Sequence, residues 1–236
     1  MADPTPKSTP GTTIDPASLP PLERYKLLIG GIVPRPIAFV STCDALGRPN
    51  LAPFSFFAGV GSNPMTLLFC PANAPDGTEK DTLRNAKPVG EGGLGEFVVN
   101  IAPESIAAQL AACAEPLPFG ESEFTFAGLT AVPSVRIRPP RVAQATMSFE
   151  CVTRQVIRTN PGQPAGGNIV LGEVVMIHGV AGLINERHHV APAVLDAFGR
   201  LGGTSYCTIR DRFDLPMGAA AIGKASERSK TGVGGG

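Results

Sequence analysis

Short apolar segments separated by Gly and Pro make up most of this chain, a pattern typical of a mainly β protein. The segments rich in Val, Ile, Phe and Thr are predicted to form strands, over residues 37–42, 50–57, 66–70 and 97–101. A turn from Asp44 to Gly47 is predicted between the first two. Two helices interrupt the strands: a short one that opens at Thr78, and one over residues 103–114, where Pro precedes an Ala- and Leu-rich segment.

Two longer strands are predicted in the second half of the chain. From Thr146 the apolar positions alternate and then shift phase at Val152, as a β-bulge in a curved strand produces. Residues 169–180 are apolar at nearly every position except Glu173 and His178, which predicts a central strand buried on both faces. Curved strands without a repeat pattern indicate an antiparallel β-barrel with inserted short helices.

The two ends of the chain differ from its middle. Residues 1–20 contain five prolines and few large apolar side chains, and the last residues are rich in Ser, Lys and Gly. Such segments cannot offset the entropy of ordering by burial. We therefore predict one domain over residues 21–215, with flexible segments at residues 1–20 and 216–236.

Composition narrows the class of ligand and the setting. The 20 Lys and Arg balance the 20 Asp and Glu, so the chain lacks the positive charge typical of proteins that bind nucleic acid or anionic membranes. Five scattered cysteines argue against a disulfide framework and favour a reducing, cytoplasmic setting. The first residues do not resemble a signal peptide, and prolines break the uncharged segment 49–75, so we expect no membrane helix.

Three polar stretches are candidates for binding. Lys80, Asp81 and Thr82 at a helix start would suit a phosphate, although Thr78 and Asp81 also fit a capping box. Arg35 lies between two prolines, which hold its backbone extended. Its guanidinium would then either bind a planar or anionic partner or lie at the surface without a binding role. Residues 50–57 contain Pro53, which predicts an edge strand whose free amides could bind a flat, uncharged heterocycle.

The histidines and a group of arginines give weaker signals. His178, His188 and His189 show no metal-ligand spacing, so no metal site is expected. His178 would either face a ligand or be a hydrogen-bonded core residue. Three arginines lie at strand-like spacing, namely Arg136, Arg138 and Arg141. They form either a solvated edge or a binding site for the phosphates of a pyridine nucleotide.

Six motifs follow one another along residues 31–206: GIVPRPIAFVST, NLAPFSFFAGVGSNP, DGTEKDTLRN, GEFVVNIA, IVLGEVVMIHG and RLGGTSY. Together they resemble the flavin reductase-like, FMN-binding split-barrel family, in the branch that includes flavoredoxin. Met65 stands where that family often has Pro, and residues 89–94 are an additional Gly-rich stretch. The resemblance implies a homodimeric split antiparallel β-barrel that binds FMN noncovalently near the subunit interface.

By motif position, the resemblance also implies the residues around the cofactor. It places Arg35 and Pro36 beside the flavin, Ser41 and Thr42 near the phosphate and ribityl chain, Asn50 and Ala52 at the isoalloxazine edge, Ser55 and Phe56 at the ribityl region, and Lys80, Asp81 and Thr82 at the phosphate end. His178 is a further candidate for contact with a substrate. No side chain is assigned a catalytic acid or base role, because hydride transfer to a flavin requires chiefly that the two rings be oriented.

Three functions remain open from the sequence. The main hypothesis is an FMN-dependent oxidoreductase that uses NADH or NADPH to reduce flavin for an oxygenase partner or another acceptor. An FMN electron-transfer protein with a protein redox partner would use the same pocket. A noncatalytic β-barrel that binds another ligand is the third, and the intact Lys80, Asp81 and Thr82 cluster argues against it.

Overall fold

The computed structural model describes residues 11–222 and 227–228. Its α-helices are α1 (Pro21–Gly31), α2 (Asp81–Ala86), α3 (Ala107–Ala112), α4 (Glu123–Ala127) and α5 (Pro192–Leu195). Its strands are β1 (Ala38–Cys43), β2 (Pro49–Phe54), β3 (Phe57–Ser62), β4 (Met65–Phe69), β5 (Glu96–Ile101), β6 (Ala131–Val132), β7 (Arg141–Val142), β8 (Met147–Arg158), β9 (Asn168–Gly179), β10 (Phe198–Arg200), β11 (Tyr206–Thr208), β12 (Phe213–Asp214) and β13 (Glu227–Arg228). Short 3₁₀ helices cover Pro16–Ser18, Val89–Glu91, Glu104–Ile106 and Gly218–Ala221.

Seven of these strands form one antiparallel sheet in the order β2-β1-β5-β8-β9-β4-β3. β2 and β3 lie at its opposite edges, although only Ser55 and Phe56 separate them in sequence. Because one residue of extended chain spans at most about 3.6 Å, the two edges must lie close together and the sheet must roll up. β2 and β3 do not pair with each other, so the barrel is split between them. The predicted split antiparallel β-barrel is confirmed.

Alternation along β1 divides the core into two parts. Ala38 and Val40 pack inside the barrel with aromatic side chains of the other strands. There the ring of Phe69 lies 5.0 Å from that of Phe97, measured between centroids. Phe39 faces outward into a second cluster, which α3 and α4 cover. α2 packs Leu83 against the interior cluster and so closes one end of the barrel.

The predicted strands are confirmed with one change, and a predicted irregularity is present. Residues 50–57 do not form one strand, because the chain leaves β2 after Phe54 and begins β3 at Phe57. β8 contains the predicted irregularity, with register shifts at Glu150/Cys151 and Thr153/Gln155.

The prediction that β9 is buried on both faces is wrong. β4 pairs with β9 only from Val170 to Glu173. Beyond that point β8 is the strand that borders β9, so side chains such as Ile177, at 39% exposure, remain open to solvent.

Helix α1 was not predicted, and the burial pattern explains why. None of its residues is buried, and its large apolar side chains, such as Leu22 and Leu28, are exposed rather than packed on the barrel. Only Pro21 at its first position is a helix-start signal.

The described residues include no helix long and apolar enough to cross a membrane. All five cysteines are free thiols. The predicted flexible segments fall partly outside the described residues, at 1–10, 223–226 and 229–236.

Candidate functional site

A buried polar cluster joins β1, β2 and α2 at the closed end of the barrel. Asn50 Nδ2 donates to Thr82 Oγ1 at 3.0 Å and to Thr42 Oγ1 at 3.3 Å. Asn85 Nδ2 also donates to Thr42 Oγ1, at 3.1 Å. The structure thus brings together three predicted site residues that are distant in sequence. Asn85 was missed, although it lies one helical turn after Asp81 and Thr82 within the motif DGTEKDTLRN.

The first turn of α2 has no capping side chain. Lys80 is the N-cap residue and makes no side-chain cap. The predicted capping box is wrong, because Thr78 instead donates its backbone N–H and its hydroxyl to Asp76 Oδ1, at 2.9 and 2.7 Å. The Lys80 carbonyl accepts from Leu83 and Arg84. The backbone N–H groups at the start of α2 therefore remain available to an anion, next to the exposed Lys80 side chain.

Further charged groups surround this helix. Burial raises the pKa of Asp81, and Arg84, with Nη1 at 3.3 Å from Asp81 Oδ1, only partly offsets this. The guanidinium of Arg84 stacks on the ring of Phe119 at 4.1 Å, and that of Arg48 lies 5.3 Å from the same ring. Neither arginine was predicted to lie at this site. Arg84 falls four residues after Lys80, a spacing that places two cations on one helical face.

Ser41 does not join the cluster of Thr42. Its side chain is fully buried, donates to the carbonyl of Pro140 and accepts from Asn100 Nδ2. Adjacent residues of a strand point to opposite faces. The two side chains thus have different surroundings, and the contact of Ser41 and Thr42 with the phosphate and ribityl chain stays a prediction.

Arg35 is extended as predicted, but its side chain is buried at 3% exposure. Nη1 donates to the carbonyls of Ile29 and Ile32, and Nη2 donates to that of Leu201 at 2.9 Å. Nε donates to Ser55 Oγ at 3.1 Å. The guanidinium therefore fixes the end of α1 against the link between β2 and β3. Contact of Arg35 with a flavin stays a prediction.

β2 is an edge strand, as Pro53 predicted. Its outward edge has fewer free amides than expected, because Leu51 N donates to Glu123 Oε2 at 2.8 Å and Pro53 has no N–H. Ala52 packs partly into the barrel core, and Ser55 and Phe56 are half-buried at the link.

A large apolar cavity of about 690 Å³ opens at the other end of the barrel. It is lined by Pro36 of the predicted site, by side chains such as Phe57, Met147, Phe149 and Ile177, and by His188. A smaller cleft of about 310 Å³ adjoins it at Ile37 and includes Pro53 and Ser55. Flat apolar ligands suit surroundings of this kind.

His178 lies apart from these residues. Its Nε2 is 2.6 Å from Glu150 Oε1, so the structure gives it a hydrogen-bonded partner rather than a place in the apolar cavity. Within the described residues, no group of three or more His, Cys, Asp or Glu side chains could hold a metal ion.

The family model of the flavin reductase like domain matches residues 30–203, most of the chain. The chain belongs to this family. Its relatives include a protein of Deinococcus radiodurans, 40% identical over 212 residues that cover 86% of this chain and 88% of the relative. Protein YwrF of Bacillus subtilis is 35% identical over 195 residues, covering 82% and 92%.

Solved structures agree with this assignment. Component B of nitrilotriacetate monooxygenase from Bacillus cereus is 35% identical, with a TM-score of 0.80 over 88% of this chain and all of that one. The 2-nitrobenzoate 2-nitroreductase of Pseudomonas fluorescens is 30% identical, with a TM-score of 0.76 over 88% and 97%. A flavoredoxin of Desulfovibrio vulgaris shares the fold at 18% identity, with a TM-score of 0.62 over 82% and 94%. This chain is accordingly a flavin-binding oxidoreductase of the flavin reductase-like type.

Proposed function

We propose that this member of the family binds FMN noncovalently and uses NADH or NADPH to reduce it. The observation that carries the proposal is the uncapped start of α2, which lies beside Lys80 and the buried cluster of Thr42, Asn50 and Thr82. Free N–H groups, a hydroxyl and an ammonium form a donor set that fits a terminal phosphate. A terminal phosphate is present in FMN, and this favours FMN over FAD.

The rest of the cofactor would lie along β2. From Asn50 to Ser55 the chain is nearly extended, and a strand advances about 3.3 Å per residue, so it leads from the polar cluster to the link at Ser55 and Phe56. In this arrangement Asn50 and Ala52 would face the cofactor midway, and Asp81 would orient Lys80. The ring would then lie near Pro36 and the apolar cavity, whose walls are mostly hydrophobic side chains.

Bound flavin would supply the hydride-accepting chemistry. The residues of this chain would hold and orient it, and no acid or base side chain is needed. Phe57, Met147 and Phe149 line this cavity, which in the proposed arrangement would also receive the flat nicotinamide of a co-substrate. Likeness to component B of a monooxygenase supports an oxygenase as the acceptor of electrons.

We also propose that the protein is a homodimer in a cytoplasmic setting. Large apolar side chains stay exposed on α1 and β3, including Leu22 at 62% and Val60 at 53%. Exposed apolar groups of this size favour a protein interface. Light scattering after gel filtration should give the mass of two chains, and a mass of one chain would refute the dimer.

The test of the flavin site compares FMN with riboflavin, which lacks the phosphate. Purified protein should bind FMN more tightly than riboflavin or FAD in a fluorescence titration. Lys80→Ala should weaken FMN binding by about tenfold, as expected for loss of one charge-assisted hydrogen bond, and should leave riboflavin binding unchanged. Lys26→Ala is the matched control, since Lys26 is an exposed lysine that pairs with Glu23 on α1. Equal FMN affinity in Lys80→Ala and the parent would refute the phosphate site.

Anaerobic addition of NADH and then NADPH to the FMN-loaded protein tests the reaction. Rapid bleaching of the flavin absorbance by either nucleotide is the expected result and identifies the donor. Bound FMN that stays oxidised with both would refute the reductase and favour an electron-transfer protein with a protein partner.

A further inference from the structure

The carboxylate of Glu150 on β8 is fully buried and accepts three hydrogen bonds. Val135 N and Arg136 N both donate to it at 2.7 Å, and His178 Nε2 lies 2.6 Å away. Burial alone would raise the pKa of Glu150, but these hydrogen bonds lower it below its ordinary value. An ionised carboxylate only accepts, so Nε2 of His178 carries a proton and Nδ1 is the nitrogen left for another partner.

His178 and Arg141 line a cleft of about 270 Å³ on the outer face of the barrel, between β7, β8 and β9. Thr146 and Ser148 are also on its walls. Glu150 does not line it, and neither does any other carboxylate among the described residues. The cleft therefore has two nitrogen-bearing side chains and no negative group.

Arg141 is held in place without an ion pair. Its Nε and Nη2 donate to the carbonyl of Pro133 at 3.3 and 3.1 Å. In the described part of the chain no carboxylate lies within ion-pair distance of it, whereas Arg138 on the same segment pairs with Glu96 at 3.1 Å. A half-buried guanidinium fixed on one side leaves its remaining N–H groups without a protein acceptor of opposite charge.

We propose that this cleft is a binding site for the anionic group of a small organic molecule, a carboxylate or a phosphate, held by the guanidinium of Arg141. The guanidinium fork matches two oxygens of either group. Since one water occupies about 30 Å³ of liquid, the cleft has room for a single small ring or chain and not for a whole dinucleotide. Ser148 and His178 face outward from the barrel, while Phe149 and Ile177 face the apolar cavity. Met147 borders both, so the two sites are neighbours whose other walls differ.

The test uses three probes of similar shape in calorimetric titrations of the full-length protein. Benzoate and phenyl phosphate should bind, and neutral benzamide should bind at least tenfold more weakly. The tighter of the two anions identifies whether carboxylate or phosphate is the natural group. Arg141→Gln should weaken binding of the anion by about tenfold or more. Arg136→Gln, an exposed neutral-for-cation change on the same segment and outside the cleft, should have no effect.

Several results would overturn this site. Equal binding of benzamide and the anions would do so, as would parental affinity in Arg141→Gln. The titrations are repeated with FMN saturating, because displacement of FMN by benzoate would place the anion in the flavin site instead. Retention of FMN by Arg141→Gln is scored separately, so failure of the anion site and failure of the flavin site give different results.

Discussion

Asn100 on β5 connects four parts of the molecule through one buried amide. Nδ2 donates to the carbonyl of Phe39 at 3.0 Å and to Ser41 Oγ at 3.2 Å. Oδ1 accepts from Val142 N at 3.0 Å and from Ser148 Oγ at 2.9 Å. Because a backbone carbonyl lies on one side and a backbone N–H on the other, the orientation of the amide is fixed.

Replacing Asn100 by Asp keeps the shape and removes both donors. Two lost hydrogen bonds cost about 2 kcal/mol, and an oxygen facing the Phe39 carbonyl in a fully buried site adds about 1–3 kcal/mol. We therefore expect Asn100→Asp to lower the free energy of unfolding by about 3–5 kcal/mol at pH 7. In a domain of this size that is a fall in Tm of roughly 6–20 °C.

Urea unfolding followed by circular dichroism at pH 7 and pH 5 measures this effect. Burial raises the pKa of the new carboxyl in the folded state, so the stability lost at pH 7 should be partly recovered at pH 5, where the acid is protonated and can donate again. A loss below 1 kcal/mol at pH 7, or a loss independent of pH, would refute the reasoning.

Asn185→Asp is the matched control. The side chain of Asn185 uses only its oxygen, which accepts from Arg187 N at 3.0 Å and His189 N at 2.9 Å. A carboxylate preserves both contacts at this exposed position, so stability should change by less than about 0.5 kcal/mol.

Two further predictions concern the core and pH. Gly172→Ala would place a methyl group against the ring of Phe97 and should lower the free energy of unfolding, measured in urea, by about 1–3 kcal/mol. Adding Phe97→Leu should recover part of this loss. Full parental stability of Gly172→Ala would contradict the packing. Burial raises the pKa of Glu123, even though Leu51 N donates a hydrogen bond to its carboxylate. The contribution of Glu123 to the free energy of unfolding is therefore fully present below its ordinary pKa of 4.5, and it is lost as the pH rises through the pKa of the folded state. Glu123→Gln should therefore gain stability relative to the parent as the pH rises from 4.5 to 8, and a constant difference across that range would contradict the raised pKa.

The barrel could be predicted from the sequence because its strands are marked by local signals, such as single prolines and the alternation of apolar residues. Pro53 placed β2 at an edge, since a residue without an N–H cannot serve an interior strand on both sides. The phase shift after Thr146 predicted the bulges of β8 in the same way. Contacts that depend on distant chain segments could not be predicted by such rules.

The candidate site shows this limit residue by residue. Arg35 is buried because three carbonyls from α1 and from Leu201 meet around it, and no local pattern encodes their meeting. The start of α2 was misplaced because Thr78 has two possible partners, and the Asx turn at Asp76 prevails over the helix cap. Ser41 is different, since strand alternation already implied that it faces away from Thr42. A single Asn within the apolar strand β5 was likewise a visible sign of a buried network.

The two-residue link between β2 and β3 also determines when this molecule can finish folding. The β8 and β9 hairpin is local, whereas β4 must find β9 across most of the domain. Pairings distant in sequence are slow, because the loop entropy is lost before the contacts are gained. Ser55 and Phe56 join the first and last strands of the sheet order, so we expect them to reach their final positions late, after the ladders between those strands have formed. The chain segment expected to border the ribityl region of the flavin would thus be among the last parts of the barrel to be assembled, and its geometry would report the completion of the whole fold.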